Sequence, residues 1–454
     1  MLLAGAIHQR RQLAPGAKPI PGLHDAAASP GATADTVHVV TVDAPPTRAG
    51  CCGRSGAPRP PPCSGAAWRR CCCGFGSCVG WSSIFFLAVF GFFLALQAAW
   101  LAADQRAFLD QPPGRMLRVP VDGSEIQPQL HIQCVGPAPA PGQATFVFEA
   151  GGGAPGLAYA HIADALAAAG RRACWYDRLG YGWSGVAVRP TTLRRVPLAL
   201  AALLDAAGEG GGGVILAGHS AGGDLSIQFA GLFPDRVSGL ALMDAYSQAA
   251  IDLQSNFAFS GPGILGAIDA YRAATPFAWP RFGTGTAAVK QRIDPENGAA
   301  LAALYGSNKE WEAQYVDFSA TMSHPTITDD LVALSGRPAF WPDASAAAPR
   351  GPIAGWPSLG AKPLLLMPAS ETLAPGERGG GAALPCAAGE LVANASCQAA
   401  VLASPGLWYA KLYLSYLSTL SSNATLAVME GGHDFPWVDA QRTAAALIAK
   451  FAGV

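Results

Sequence analysis

Residues 218–222 read Gly218-His219-Ser220-Ala221-Gly222, a G-x-S-x-G set between the apolar run at 214–217 and a helical run that extends to about Phe233. A serine on so tight a strand-to-helix turn takes a strained backbone conformation. It leaves no room for side chains two residues to either side, hence the two glycines. The new helix starts beneath the hydroxyl and directs its unpaired N–H groups toward an oxyanion forming there. Nucleophilic attack by Ser220 is the chemistry such a turn serves, and it requires a base and a group to orient that base.

Eight histidines occur, and His324 and His433 are the two that follow Ser220. Where this elbow is used, the order along the chain is serine, acid, histidine. His433 follows a short apolar run at 424–429 and then Glu430-Gly431-Gly432, whose glycines let the loop return over a sheet. His324 stands in an irregular stretch with no strand before it, and His219 is read as a buttress of the turn; His433 is the base. For the acid, 363–367 reads as a buried strand followed by Pro368-Ala369-Ser370-Glu371. A carboxylate there would lie level with the serine, so Glu371 is preferred. The alternative acid is Asp244, at the end of the apolar strand 237–243.

Four blocks resemble the α/β-hydrolase superfamily, in particular its capped esterase/lipase-like branch. They are Phe146-Val-Phe-Glu-Ala-Gly151-Gly152-Gly153; Tyr176-Asp-Arg-Leu-Gly-Tyr-Gly-Trp-Ser184; the elbow with 233–237 and 240–244 behind it; and Pro368-Ala-Ser-Glu371 with Pro375, then Gly432-His433. Together they span about residues 115–454. This sequence departs from the pattern in the acid segment, where Pro368 replaces a glycine and glutamate replaces aspartate. The resemblance implies an oxyanion hole made by the N–H of Ala221 and one from the triple glycine, Gly152. It also implies that Asp177 and Arg178 are a structural pair bracing the loop after the fourth strand.

The chain of 454 residues is half apolar with a formal charge of −1, which implies no nucleic-acid partner. Residues 1–78, rich in Pro, Ala, Gly and Cys without periodicity, read as a disordered cytoplasmic tail. No charged side chain occurs from Cys71 to Ala103. The stretch 79–103 exceeds the ~20 apolar residues that cross a bilayer and reads as a transmembrane helix. Arg48, Arg54, Arg59, Arg69 and Arg70 precede it, which places the remainder of the chain outside the cell or in a lumen. Asn394 and Asn423 head glycosylation sequons, and Cys386 and Cys397 bracket an insertion and could form a disulfide. Cys71–Cys73 and Cys78 lie where palmitoylation occurs, with plain thiols the alternative. An organellar membrane is left open by the few acids of the first 50 residues.

From 104 onward strand and helix alternate, which predicts a mostly parallel sheet flanked by helices. Strands are expected at 116–121, 130–135, 144–148, 172–176, 214–217, 237–243, 363–367 and 426–429. Helices are expected near 157–169, 192–207, 223–233 and 440–451. Residues 245–360 break the alternation with helical runs and aromatics, and read as a cap inserted after the sixth strand. The reading is a membrane-anchored serine hydrolase of 104–454 that cleaves a small hydrophobic or lipid ester without metal or organic cofactor. Alternatives are an amide or peptide hydrolase or acyltransferase on the same triad, or a catalytically weak fold that binds a ligand.

Overall fold

Strands β3 Thr145–Glu149, β5 Val214–His219, β6 Val237–Met243 and β7 Pro363–Met367 are almost wholly apolar, as strands covered on both faces must be. Four others complete the sheet: β1 Arg115–Arg118, β2 Gln129–Val135, β4 Ala173–Tyr176 and β8 Asn423–Leu426. The order is β1-β2-β4-β3-β5-β6-β7-β8, antiparallel at β1–β2 and β2–β4 and parallel from β4 onward. This is the α/β-hydrolase fold that the sequence implied. The computed structural model describes residues 65–120, 127–186, 195–245, 261–277, 296–323, 358–373, 384–404, 407, 410, 413–414 and 417–454. His324, Pro375 and the cap aromatics Trp279, Phe282, Phe340 and Trp341 lie outside the described residues.

The described helices are α1 Gly65–Asp104, α2 Ala160–Ala168, α3 Arg195–Ala207, α4 Ala221–Leu232, α5 Gly261–Ala274, α6 Gly298–Tyr305, α7 Asn308–Ser323, α8 Ala395–Ala403 and α9 Ala440–Lys450. Successive strand residues feed opposite faces. Val147, Leu216 and Leu242 join the layer under α3 and α4. Phe146, Phe148, Ile215 and Met243 join the layer under α2 and α9. Each such buried side chain contributes about 1.5–3 kcal/mol of transfer free energy. The last strand lies three residues earlier than expected: Leu426 pairs with Leu366, and the chain then leaves the ladder toward the Ala369–Met429 bridge.

Residues 2–89 and 90–454 are separate units. Helix α1 begins at Gly65, so residues 65–78, read as part of a disordered tail, are helical. Among the described residues Trp81–Leu109 is the one helix long and apolar enough to cross a membrane. Within the larger unit Gln97 Nε2 donates to Gly306 O (3.2 Å), and Phe90 meets Phe277 edge-on at 4.9 Å.

Among the described residues two disulfides close loops. Cys386–Cys397 is the pair that brackets the insertion. Cys134–Cys174, not anticipated, joins directly opposed positions of the antiparallel β2–β4 ladder. Between β6 and β7 lie α5, α6 and α7. Tyr271 and Trp311 stack at 4.7 Å, so these two cap aromatics pack on one another.

Helix α7 is fastened to the loop after β4 by two neighbouring residues. Lys309 Nζ donates to Gly182 O (2.6 Å) and Ser184 O (2.7 Å), and Glu310 Oε2 accepts from Gly182 N–H (3.1 Å). Burial pushes Glu310 up to about 8, while the Gly182 N–H pulls it the other way. The folded chain therefore holds this proton more tightly than the unfolded chain, whose glutamates titrate near ~4.3. Stability from this group is full below the unfolded value, falls as pH rises toward about 8, and is level above it. Glu310→Gln should flatten that decline: its melting temperature in detergent should drop less between pH 5 and pH 8 than that of the wild type. Equal drops in the two proteins would assign the pH dependence to other groups.

Candidate active site

The elbow glycines have measurable causes. A Cβ on Gly218 would lie 2.5 Å from Gly222 O and from Ser226 Oγ, and one on Gly222 would lie 2.3 Å from Glu149 O. No side chain fits either contact, so α4 can start directly against the end of β3. Ser220 itself has φ 52° and ψ −125°. It and Asp244 (φ 39°) are the non-glycine residues with positive φ among those described. Such conformations cost about 1–3 kcal/mol each and persist where packing enforces them. Here Ser220 N–H bonds to Met243 O (3.1 Å) and Asp244 N–H to Met367 O (2.8 Å).

The carboxylate on the His433 ring is Asp244. His433 Nδ1 lies 2.6 Å from Asp244 Oδ2, with Asp244 fully buried and the His433 side chain 42% exposed. Asp244 also accepts from Ala369 N–H (2.9 Å) and Thr372 Oγ1–H (2.8 Å). The structure thus brings Asp244, the alternative acid, to the ring in place of the preferred Glu371. That residue is exposed in the single helical turn Ser370–Leu373, and its backbone N–H bonds to Gly431 O (3.1 Å). The kink at Asp244 turns its side chain under the histidine loop, whereas Glu371 holds that loop through its backbone N–H, and Ser370 through its N–H and its hydroxyl, which accepts from Gly431 N–H (3.1 Å). With Nδ1–H given to Asp244, His433 keeps its Nε2 lone pair for a hydroxyl proton.

The two residues expected to form the oxyanion hole, Ala221 and Gly152, lie near one another. Ala221 is the first residue of α4, so its N–H has no acceptor within the helix. Gly152 stands opposite: a Cβ there would be 3.6 Å from Ala221 Cβ and 3.0 Å from Cζ of Phe318 on α7. The cap thus touches the glycine loop through an aromatic ring, which no sequence motif had marked.

Asp177 and Arg178 brace different loops and are not paired with one another. Asp177 accepts from Gly156 N–H (2.7 Å) and Trp183 N–H (3.0 Å) and contacts His131 Nδ1 (2.8 Å). Its burial opposes ionisation, but these donors, His131 foremost, bring its pKa below the usual value. Arg178 reaches the glycine loop instead. Burial opposes its charge too, yet Tyr181, Asp317 and Glu149 raise its pKa well above the ordinary arginine value.

A further chain of hydrogen bonds passes behind the serine. Gly151 N–H donates to Tyr159 OH (3.1 Å), Tyr159 OH is 2.7 Å from His219 Nδ1, and His219 Nε2 is 2.9 Å from His433 O. A carbonyl can only accept, so His219 carries its proton on Nε2. Nδ1 is then the acceptor for the tyrosine hydroxyl. Burial, and then the charge of His433, hold the His219 pKa well below that of a free imidazole. The buttress expected of His219 is therefore a neutral bridge between the glycine loop and the histidine loop. The spacing of Tyr159 offered no signal for it.

Residues 144–317 match a family model described as alpha/beta hydrolase fold. No curated protein matches the chain in sequence. Solved structures resemble it at low identity. A thermophilic esterase from Thermogutta terrifontis is 16% identical over 74% of this chain and 97% of that one, with a TM-score of 0.42. For a probable hydrolytic enzyme from Pseudomonas aeruginosa the figures are 18%, 76%, 96% and 0.46. For an enol-lactonase from Burkholderia xenovorans they are 14%, 74%, 100% and 0.42.

The bridge makes a spectroscopic prediction. In ¹⁵N-histidine spectra His219 should remain the neutral Nε2–H tautomer through the range around ~6.5 in which a free ring titrates. Titration of that resonance in this range, or an Nδ1–H tautomer, would contradict the assigned directions of the hydrogen bonds.

Proposed function

We propose that this chain, which carries the α/β-hydrolase fold, is a serine hydrolase that cleaves a carboxylic ester. The observation that carries the reading is the strained Ser220 at the head of α4, with the His433–Asp244 pair on the neighbouring loops. His433 Nε2 removes the Ser220 proton as Oγ attacks the ester carbonyl carbon, and the N–H groups of Ala221 and Gly152 stabilise the oxyanion. His433 then protonates the departing alcohol, leaving an acyl-Ser220 that water, activated by the same ring, converts to the acid and the free enzyme. Asp244 holds the ring in its tautomer and balances the imidazolium. The Phe318 ring beside Gly152 favours an apolar group there, such as a lipid acyl chain or a small hydrophobic ester.

Anchoring by the Trp81–Leu109 helix, with the hydrolase unit outside or in a lumen, is part of the same proposal. The arginines before the helix support it. The Cys134–Cys174 and Cys386–Cys397 disulfides support it as well, since such bonds persist in oxidising compartments. Asn394 and Asn423 are both exposed, as glycan acceptors must be.

Ser220→Ala should abolish labelling by a fluorophosphonate and turnover of p-nitrophenyl esters in a correctly folded protein. Asp244→Asn should lower kcat by about 10⁴-fold, the loss seen when a triad aspartate is neutralised, while Glu371→Gln stays near wild type. Normal labelling of the serine variant would remove the nucleophile assignment, and the reverse acid ranking would restore Glu371.

Expressed in a glycosylating cell, the protein should gain mobility on glycosidase treatment, and replacing both Asn394 and Asn423 with Gln should remove that shift. An unglycosylated chain whose hydrolase unit is cut first by external protease on sealed vesicles would reverse the orientation.

A further inference from the structure

We infer that Arg178 is the positioning residue of the oxyanion site, and that Asp317 on cap helix α7 helps to hold it there. The inference rests on the serine-hydrolase reading above, because it concerns the Gly152 N–H that this reading uses.

The guanidinium sits behind the glycine loop, buried, and bonds two successive carbonyls: Nη1–H to Ala150 O and Nη2–H to Gly151 O (2.9 Å). Gly151 N–H is held from the other side by Tyr159 OH (3.1 Å). The Ala150–Gly151 peptide is thus fixed at both its oxygen and its nitrogen. The next peptide is fixed at its oxygen by Arg178, with Ala154 N–H adding a turn bond to the same oxygen (3.2 Å). A trans peptide is planar, with C=O and N–H on opposite sides. Holding Gly151 O against the guanidinium therefore directs the Gly152 N–H away from it, toward the side on which Ala221 lies. A cation on the carbonyl also polarises that peptide and strengthens its N–H as a donor.

The demands on this side chain explain its type. It hydrogen-bonds two carbonyls and one carboxylate through its two terminal nitrogens and pairs by charge with a second carboxylate, a spread of contacts that a planar fork provides from one position and an ammonium does not. Nη1 lies 3.0 Å from Glu149 Oε1, at the end of β3, and Nε lies 3.6 Å from Asp317 Oδ2, on the cap. Tyr176 OH donates to the other oxygen of Glu149, and the Arg178 guanidinium lies 4.7 Å over the Tyr181 ring. One side of the clamp belongs to the sheet and the other to the cap. Because Phe318 follows Asp317, the helix that completes the clamp also sets the ring against Gly152. The oxyanion donor is then aligned only with α7 seated.

The test uses the full-length protein in detergent. Arg178→Lys keeps the charge and loses the fork. It should lower kcat by about 10²–10³-fold, the loss typical of an oxyanion donor, with KM nearly unchanged. The acid limb of the kcat/KM profile should stay in place, since the His433–Asp244 pair is untouched. Asp317→Asn, which leaves the Glu149 pair, should show the same kcat-only pattern at about tenfold. Wild-type kcat in Arg178→Lys, or a loss confined to KM or accompanied by a shifted acid limb, would overturn the inference. Should that variant fail to fold, Asp317→Asn decides: a kcat-only loss supports the clamp and an unchanged kcat overturns it. Turnover surviving in Ser220→Ala would instead sink the hydrolase reading itself; an inactive Ser220→Ala beside a fully active Arg178→Lys sinks the clamp alone.

Discussion

Everything at the site depends on how closely the start of α4 approaches the end of β3. Gly222 meets the carbonyls of Glu149 and Ala150 at distances that leave no space for a Cβ, 2.3 and 2.5 Å from where one would sit. That contact brings the elbow and the glycine loop together, because β3 and β5 are hydrogen-bonded neighbours from Thr145–Val214 through Glu149–Gly218. A larger residue at position 222 would push the helix off the strand. It would separate Ala221 from Gly152 and leave Ser220 without its enforced geometry. The strain at Ser220 is held in place by the sheet on both sides rather than by the turn alone.

Immediately beneath this contact the protein keeps charge where burial opposes it. Burial raises the pKa of Glu149 and of Asp317, and in both cases the Arg178 charge works in the opposite direction. Groups of this kind contribute little net stability, because desolvation offsets most of the Coulomb attraction. Removing one member is what costs, since it leaves the others uncompensated. The cluster therefore couples three elements: the end of β3, the loop after β4 and the cap helix α7. The same coupling recurs at Lys309 and Glu310, which grip Gly182 from the cap. The cap is fastened by polar contacts to backbone, and these are sensitive to small displacements in a way that apolar packing is not.

The acid of the histidine pair shows where local reading stops. Glu371 follows an apolar strand at a plausible distance, and Asp244 ends another; along the chain the two look alike. What separates them is direction. Asp244 adopts φ 39°, bonds its N–H to Met367 O, and so turns its carboxylate beneath the histidine loop. Glu371 lies one strand further on, exposed, with its carboxylate beside Gly432, whereas the carboxylate on the His433 ring is that of Asp244. The Cys134–Cys174 bridge was hidden for a similar reason: it requires that β2 run antiparallel to β4, and the residues between the two cysteines, 40 positions apart, carry no sign of that pairing.

By itself the amino-acid sequence determined the features whose causes are local. The elbow at 218–222 was readable because glycine spacing, an apolar strand and a helix lie within twenty residues of one another. Strands β3, β5, β6 and β7 were readable because burial on both faces demands unbroken apolar runs. The expectation that His433 is the base rested on chain order and on the glycines before it. Only the tertiary structure decided which carboxylate meets His433, which carbonyls Arg178 clamps, and that Tyr159, His219 and His433 form one chain of hydrogen bonds. Each of those depends on side-chain direction across neighbouring strands and loops. That direction is set by φ/ψ at a few positions and by packing between segments up to 214 residues apart, as in the bond from His219 to His433.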